Sequence, residues 1–439
     1  MQRLILIAVV VILTSLSGFY LSENKTTSKQ PSNIILISID TLSGMHLNKN
    51  GYHRSTTPNL DQFISESIMF NKAFSTSSYT FPGHMAMFTG QSIAMNNMVA
   101  FKLEDRAVIL PKKIKTITEY LKKQDFKTAW FAPTQDYQLD LTRGFERSFD
   151  ILETTAKEDG FLNKSRKEWI EKNKDSKKFM FLHSYLVHDP YIPPKPYYKK
   201  YDPDYKGRII GEMSEFEELY NKHNKTNSWN GKLRKKLYFE RVDINDSRDL
   251  IHMTALYDEE IEFQDYLLGQ FFAYLRRESL YDNSVIIVTS DHGEAFGQHN
   301  ELRHNTLHNE VIQVPLIIKI PGIKPKAIQS HVQLIDLAPT ILDLLSLKPR
   351  HEFEGKSMMP LIDGSVEKLR DHTITIIDPS DMKAIHTTDY KYILHTSGKR
   401  ELYNLKEDWK EKNNIIKDNE DIAQDLHTVL FNYITKVKK

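Results

Sequence analysis

Short apolar runs alternate along the chain with longer amphipathic stretches. Runs rich in β-branched residues predict buried strands, and helical spacing of apolar residues predicts helices between them. The predicted strands are residues 33–39, 128–132, 178–186, 284–290 and 314–320. The predicted helices begin at Thr57-Pro58 and include residues 111–123, 255–277 and 339–345. This alternation predicts an α/β fold: a doubly wound, mostly parallel central sheet with helices on both faces.

Two stretches depart from this pattern. Residues 195–250 are rich in Lys, Tyr, Asn and Asp with weak periodicity, which indicates an insertion and a candidate lid. Near the end of the chain, strand-like runs at residues 373–377, 382–386 and 390–395 precede a helical stretch at residues 422–437. They predict a small antiparallel sheet with a helix. The predicted units are therefore a main domain at residues 33–349, which contains the insertion, and a C-terminal subdomain at residues 350–439.

The start of the chain is either a signal peptide or a membrane anchor. Met1-Gln2-Arg3 is basic, and residues 4–21 contain no charged side chain. This order is typical of a secretory signal, and the apolar run is also long enough to span a bilayer. Both alternatives stay open for residues 1–21, and residues 22–32 read as a polar linker. Either alternative predicts a periplasmic or other extracytoplasmic location, with an inner-membrane anchor at residues 4–21 if that segment is retained.

Composition excludes several classes of function. The 439 residues include 59 Lys and Arg and 58 Asp and Glu, for a formal net charge of +1. This balance gives no general attraction for nucleic acid, so we expect no such partner. The chain has no cysteine, which excludes disulfides, cysteine-ligated zinc and thiol nucleophiles.

Candidate metal ligands directly follow two of the predicted strands. Asp40 comes after the first strand, and Asp291-His292 comes after residues 284–290. Ligands of such sheets bind at the carboxyl ends of the strands, where two carboxylates and an imidazole can converge on one divalent cation. Taken separately, Asp40 could be a turn or cap residue and Asp291-His292 a structural turn. The two motifs together favour the metal site.

A third motif supplies a candidate nucleophile. Thr80 lies just before a predicted helix whose first turn contains Pro82. A hydroxyl there faces the positive end of the helix dipole and its free N–H groups, where anions bind. A divalent cation touching this oxygen would make it nucleophilic. The alternative is that Thr80 only caps the helix.

These motifs resemble the sulfatase family of the alkaline-phosphatase superfamily. The matching segments, in the family's order, are Ile37-Ser38-Ile39-Asp40-Thr41-Leu42, Thr57-Pro58-Asn59-Leu60-Asp61, the Thr80 segment ending Phe88-Thr89-Gly90, Thr289-Ser290-Asp291-His292-Gly293-Glu294, Glu310-Val311-Ile312-Gln313-Val314-Pro315-Leu316, Asp336-Leu337-Ala338-Pro339-Thr340 and Glu401-Leu402-Tyr403-Asn404-Leu405. The resemblance extends over about residues 32–410 and is weakest at residues 195–250. It implies the doubly wound fold and metal-assisted cleavage of an anionic ester.

One departure from the family decides the expected chemistry. Sulfatases use a formylglycine made from Cys or Ser in a Cys/Ser-x-Pro-x-Arg motif, whereas this chain has Thr80-x-Pro82-x-His84. Threonine is not converted to formylglycine. The pattern instead resembles relatives that use threonine directly, such as nucleotide phosphodiesterases and the phosphoglycerol and phosphoethanolamine transferases. We therefore expect phosphate-ester hydrolysis or phosphoryl transfer. A sulfatase without formylglycine and an inactive binding protein are the alternatives.

The resemblance also implies roles for individual residues. The implied metal ligands are Asp40, Thr80, Asp291 and His292, and the implied catalytic residues are Thr80, His84, His188 and His304. His84 and His188 would stabilise the ester oxygens, and His304 would protonate the leaving group, with His299 and His308 as alternatives. One divalent ion is favoured over two, with Ca, Mn, Zn and Mg left open.

Overall fold

The computed structural model describes residues 31–95, 109–133, 139, 144, 147–155, 160–226, 230–348, 353–377 and 382–437. Within them the strands are β1 (Asn33–Ile39), β2 (Ile68–Phe70), β3 (Ala73–Phe74), β4 (Lys127–Pro133), β5 (Ile151–Thr155), β6 (Lys178–Ser184), β7 (Ser284–Thr289), β8 (Ala295–Phe296), β9 (Leu302–Arg303), β10 (Leu316–Lys319), β11 (Lys326–Ile328), β12 (Val332–Gln333), β13 (His372–Ile376), β14 (Lys383–Thr387), β15 (Tyr390–Leu394) and β16 (Arg400–Asn404). The helices are α1 (Pro58–Ser65), α2 (Thr80–Thr89), α3 (Ile117–Lys122), α4 (Lys164–Lys172), α5 (Met213–His223), α6 (Gly231–Phe239), α7 (Ser247–Arg277), α8 (Asn309–Ile312), α9 (Leu337–Leu344), α10 (Met359–Asp363) and α11 (Glu420–Val437).

The main sheet is mixed but mostly parallel. Its strand order is β11-β2-β10-β7-β1-β6-β4-β5. The central strand β1 pairs in parallel with β6 and β7, and β4 pairs in parallel with β6 and β5. Strand β10 runs antiparallel to β7 and β2. The carboxyl ends of β1, β6 and β7 therefore lie along one edge of the sheet.

Strand β1 is buried on both faces, which explains its continuous apolar sequence. Ile34 and Leu36 belong to the apolar layer that includes α2 and α9. Ile35 and Ile37 belong to the opposite layer, which includes α1 and α7. Because successive side chains of a strand point to opposite faces, one strand contributes to both layers. The predicted α/β fold, with a mostly parallel sheet and helices on both faces, is confirmed.

Several element boundaries differ from the predictions. Helix α7 begins at Ser247 rather than at residue 255, because Asp246 caps it by accepting a hydrogen bond from the Arg248 N–H. Its first three residues, Ser247-Arg248-Asp249, are polar, so apolar periodicity did not indicate where the helix begins. Helix α3 begins only at Ile117, after Thr116, which forms a capping box with Glu119. Helices α5 and α6 lie in the stretch at residues 195–250, whose apolar periodicity is weak.

The C-terminal residues form a second sheet, as predicted. Strands β13 to β16 pair antiparallel in chain order, and α11 packs against β14 and β15. The boundary between the two predicted domains stays a prediction. The predicted signal or anchor at residues 1–21 lies outside the described residues. Among the residues that the structure does describe, no helix combines the length and apolar character needed to cross a membrane.

Candidate active site

The ends of β1 and β7 bring the predicted metal ligands together. Asp40 follows β1, and Asp291-His292 lies just beyond β7, its parallel neighbour. All three side chains are completely buried. Each offers one ligand atom, and these atoms lie within 4.8 Å of one another. Three ligand atoms at such separations can surround a single cation.

The donor set suits a divalent cation. His292 Nε2 lies 3.8 Å from Asp40 Oδ1 and 3.6 Å from Asp291 Oδ2. His292 Nδ1 donates a hydrogen bond to the Gly293 carbonyl (2.9 Å), so the Nε2 lone pair faces the two carboxylates. Within the described chain no hydrogen-bond donor contacts Asp291 Oδ2. A buried carboxylate oxygen without a donor, beside a second carboxylate, fits a bound metal ion.

The electrostatic environment of Asp291 also fits a bound metal ion. Burial by itself raises the pKa of this carboxyl group, but interactions with the neighbouring imidazoles of His292 and His84 lower it below its usual value. Two backbone N–H groups support the ionised form by donating to Oδ1, from His292 at 2.9 Å and from Thr41 at 3.3 Å. Thr41 Oγ1 itself donates to the Val187 carbonyl at 2.7 Å. Asp291 therefore sits in the site as a carboxylate, ready to bind a cation.

Thr80 joins the same cluster from the start of α2. Its hydroxyl lies 3.5 Å from His292 Nε2. The residue that caps α2 is Tyr79, whereas Thr80 is the first helical residue. The structure thus brings Thr80 to the three other predicted ligands, and the alternative in which it only caps the helix has no support in this geometry.

A glycine lets α2 approach the metal ligands this closely. A Cβ atom placed on Gly83 would lie 3.0 Å from the Asp291 carbonyl oxygen and 3.1 Å from the Asp291 Cβ. Real Cβ atoms are rarely so close to backbone atoms. The first turn of the helix therefore rests directly on Asp291, which fixes the distance between Thr80 and the carboxylates.

His84 holds the first turn of α2 against β1. Its Nδ1 donates to the Thr80 carbonyl at 2.8 Å, and its Nε2 accepts from the Ser38 hydroxyl at 2.9 Å. His183 lies next to it, with ring centroids 4.9 Å apart, and places Nε2 3.7 Å from Asp40 Oδ2. Since both nitrogens of His84 bond protein groups, these contacts position Thr80; the predicted contact between His84 and the ester stays a prediction.

His188 and His304 flank the cluster on another side. The ring of His304 lies 4.5 Å from that of His292 and 5.8 Å from that of His188. His304 Nδ1 contacts Glu294 Oε1 at 3.2 Å. Burial lowers the pKa of His188 to about 3 and that of His304 well below its usual value, so both imidazoles are neutral at pH 7. Burial raises the pKa of Glu294 to about 8.

Comparison with known proteins identifies the family of this chain. The profile of the sulfatase family matches residues 32–347, which is most of the chain. The chain belongs to the sulfatase family. A further profile, described as the C-terminal part of N-sulphoglucosamine sulphohydrolase, matches residues 297–438. The predicted resemblance is therefore confirmed, and so is the predicted enzyme class, a hydrolase of ester bonds.

The similar proteins include both sulfatases and phosphonate monoester hydrolases. An arylsulfatase of Clostridium perfringens is 23% identical over 88% of this chain and 91% of its own length. A phosphonate monoester hydrolase of Agrobacterium radiobacter superposes with a TM-score of 0.73 at 19% identity, covering 93% of this chain and 96% of that one. A protein solved with its substrate D-glucosamine-2-N,6-O-disulfate gives a TM-score of 0.71 at 18% identity, covering 93% and 98%. At such identities the structures show the shared fold.

Sequence reasoning missed a set of charged residues beside His188. Asp189 is completely buried, accepts a hydrogen bond from Arg303 Nε at 2.9 Å, and lies 3.5 Å from Lys235 Nζ. Burial on its own raises the pKa of Asp189, but the charge of Lys235 and the neighbouring imidazole of His188 lower it below its usual value. Asp189 and Arg303 adjoin His188 and His304 in sequence, which is a usable signal. Nothing in the sequence pointed to Lys235.

The alternative acids His299 and His308 lie in a separate group. Their rings stack 3.5 Å apart, and His299 Nε2 is 3.6 Å from Glu310 Oε1. His308 Nε2 contacts Glu401 Oε2 at 3.1 Å. In the described part of the chain, none of the contacts found for either ring is with the metal-ligand cluster. This geometry favours His304 over both as the proton donor.

Proposed function

We propose that this sulfatase-family protein is a metal-dependent hydrolase that cleaves phosphate esters with Thr80 as nucleophile. The observation that carries the proposal is the 3.5 Å contact between the Thr80 hydroxyl and His292 Nε2, beside two buried carboxylates. A chain without cysteine, with threonine at this position, cannot form the formylglycine of sulfatases from it. The encoded hydroxyl is then the available nucleophile.

The chain's own groups account for the steps. A divalent cation held by Asp40, Asp291, His292 and Thr80 would acidify the Thr80 hydroxyl and offset charge on the ester oxygens. Thr80 Oγ, having released its proton to solvent water, attacks phosphorus, the bond to the leaving oxygen breaks, and a phosphate ester of Thr80 forms. His304 gives a proton to the leaving oxygen. Water then attacks phosphorus, which releases phosphate and restores the threonine; an alcohol in place of water would make the reaction a transfer.

Phosphate is favoured over sulfate by the fate of the threonine ester. A formylglycine hydrate sheds sulfate by collapsing to an aldehyde, whereas a threonine ester has to be opened by attack of water. Phosphoryl–enzyme esters open readily with metal assistance. The name of the phosphonate monoester hydrolase supports this choice, and the names of the sulfatase relatives support the alternative of sulfate-ester cleavage.

A panel of esters with one chromophore tests the proposal. The metal-loaded protein is assayed with 4-nitrophenyl phosphate, bis(4-nitrophenyl) phosphate, 4-nitrophenyl phenylphosphonate and 4-nitrophenyl sulfate. We expect turnover of at least one phosphorus ester, lost on treatment with a chelator and regained with added metal. Turnover of the sulfate alone would favour the alternative, and absence of all turnover would favour an inactive binding protein.

The nucleophile itself is tested by Thr80→Ala. We expect this variant to lose at least about 10³-fold in kcat/KM, because the attacking atom is missing. Thr89→Ala is the matched control, since it removes the same hydroxyl at the other end of α2, where it donates to the Met85 carbonyl at 2.7 Å. Full activity of a folded Thr80→Ala variant on every ester would refute the assignment.

A further inference from the structure

Two cationic side chains from different elements flank Asp189. Arg303 comes from β9, and Lys235 comes from α6 in the insertion. Arg303 Nε donates to Asp189 Oδ2 at 2.9 Å, and Lys235 Nζ lies 3.5 Å from Oδ1. The carboxylate is completely buried, whereas the side chains of Lys235 and Arg303 are 20% and 29% exposed. Solvent, and therefore a ligand, can reach both cations.

Asp189, Lys235 and Arg303 together carry a net charge of +1, and several N–H donors of the two cations have no acceptor among the described residues. Among the described residues, Lys235 Nζ donates no hydrogen bond, and Arg303 donates only through Nε. Asp189 Oδ1 accepts no hydrogen bond from any described group. The Arg303 guanidinium lies over the ring of Phe239, 5.4 Å from its centroid, which holds it in place. Charged donors of partly buried groups normally find acceptors. Their solvent-accessible donors are therefore available to an anionic ligand.

This surplus charge lies beside the imidazoles of His188 and His304, since His188 Nδ1 is 3.7 Å from Asp189 Oδ1 and the two rings are 5.8 Å apart. Both Lys235 and Arg303 act electrostatically on His188 and on His304. His304 is the predicted proton donor to the leaving group. A group bound by the two cations would thus belong to the same substrate molecule, outside the ester that reacts.

We propose that the substrate carries a second oxyanion, a carboxylate, phosphate or sulfate on the part that leaves, and that Lys235 and Arg303 bind it. This inference rests on the proposed function for the reacting ester. It makes the insertion a determinant of specificity, because α6 supplies one of the two cations. An ester of a neutral alcohol would offer no charge to pair with the surplus positive charge of Lys235 and Arg303.

Binding of paired phosphonates tests the inference without turnover. The ligands are 3- and 4-carboxyphenylphosphonate and the matching carbamoylphenylphosphonates, which have nearly the same shape but lack the second charge. Calorimetry is done on the full-length, metal-loaded protein at low ionic strength. We expect a carboxylate to bind about tenfold more tightly than its amide partner, and Lys235→Gln to bring this ratio close to one.

A neighbouring lysine provides the control. Lys236 lies on the same helix, is 68% exposed and pairs with Glu240 at 3.5 Å, so Lys236→Gln should leave the ratio unchanged. If Lys235→Gln fails to fold, Arg303→Lys serves instead, since it keeps a cation near Asp189. A wild-type ratio near one at both ring positions, or no binding of any ligand, overturns the inference. Discrimination between the ligands without hydrolysis of any phosphorus ester would overturn the proposed function and leave this inference standing.

Discussion

Glu294 and His304 contact each other inside the buried site. Their Oε1 and Nδ1 atoms lie 3.2 Å apart. Burial raises the pKa of Glu294 to about 8, and the charge of Asp189 acts in the same direction. Burial lowers the pKa of His304, and the neighbouring His292 ring and the charge of Arg303 act in the same direction. Near neutral pH the proton therefore rests on the carboxyl group. In the proposed reaction, His304 would give a proton to the leaving group and take one from Glu294.

Substitution of His304 should slow esters according to their leaving group. In His304→Gln we expect alkyl esters to lose about 10²-fold in kcat/KM, because a strongly basic alkoxide needs a proton as it departs. Nitrophenyl esters, whose leaving group is stable as an anion, should lose much less. The measurement is the dependence of kcat/KM on leaving-group basicity across a series of phenols.

A histidine outside the cluster is the control for this series. His299→Gln changes a side chain that stacks on His308 and should leave the leaving-group dependence as in the wild type. An equal loss on all esters in His304→Gln would contradict its role as proton donor and assign it to positioning.

Sequence patterns identified the residues that follow buried strands and missed those held by long-range contacts. Asp40 and Asp291 directly follow apolar runs, and in a parallel sheet that position alone specifies the edge on which they lie. Glu294 was visible only as part of a motif. Its function depends on a raised pKa, which burial produces and a sequence does not display. Lys235 reaches Asp189 across the fold, and no local pattern marks such a contact.

At the scale of elements, the contact between α2 and the end of β7 determines how close Thr80 lies to Asp291. Alanine in place of a helical glycine usually stabilises a helix by about 1 kcal/mol. At Gly83, however, the added carbon would come within 3.1 Å of the Asp291 backbone and side chain. The helix and the carboxylate would then have to separate by a few tenths of an ångström.

We expect Gly83→Ala to weaken metal binding without loss of folding. The added methyl group moves Thr80 away from Asp291, and a reduction of about tenfold in metal affinity follows from a displaced ligand. Calorimetric titration of the metal-free protein measures it. Ala86→Gly, one turn along the same helix, weakens the helix without adding an atom near Asp291 and should retain the wild-type affinity. Unchanged metal affinity in Gly83→Ala would show that the close contact between Gly83 and Asp291 does not determine how tightly the metal binds.

The accuracy of the predicted elements depended on how fully each one is buried. Strands β1 and β7 are buried throughout, so their apolar runs predicted the boundaries of both strands closely. Helix α6 has charged residues along most of its length and buries only Leu237 and Tyr238, so it lacks an apolar stripe. Sequence periodicity therefore predicted the core of the main sheet and not the helices of the insertion.

At the scale of the whole molecule, the second sheet is tied to the main domain by buried histidines. His386 on β14 lies 5.1 Å from His331, which precedes β12, and its ring contacts that of Phe74 at 4.1 Å. Burial lowers the pKa of His331 to about 4 and that of His386 well below its usual value. Both rings are neutral in the folded protein and gain protons more easily when it unfolds.

We expect acid to weaken this junction. Because the folded pKa of His331 is depressed, its contribution to stability is complete above about pH 6.5 and is lost as pH falls towards about 4, by up to about 3 kcal/mol. His386 adds a loss of the same sign. His386→Leu should reduce the fall in unfolding free energy between pH 7.5 and pH 5, as measured by urea denaturation. His223→Gln, which alters an exposed histidine, is the control. An identical pH dependence in His386→Leu would contradict this account.

The threonine at the start of α2 also bears on how the protein acquires its activity. A formylglycine has to be installed by another enzyme after translation, whereas a hydroxyl is complete when the polypeptide leaves the ribosome. With Thr80 as the proposed nucleophile, formation of the reactive group would depend only on folding and on metal supply. Under that proposal, a cell producing this chain would need no maturation enzyme for it.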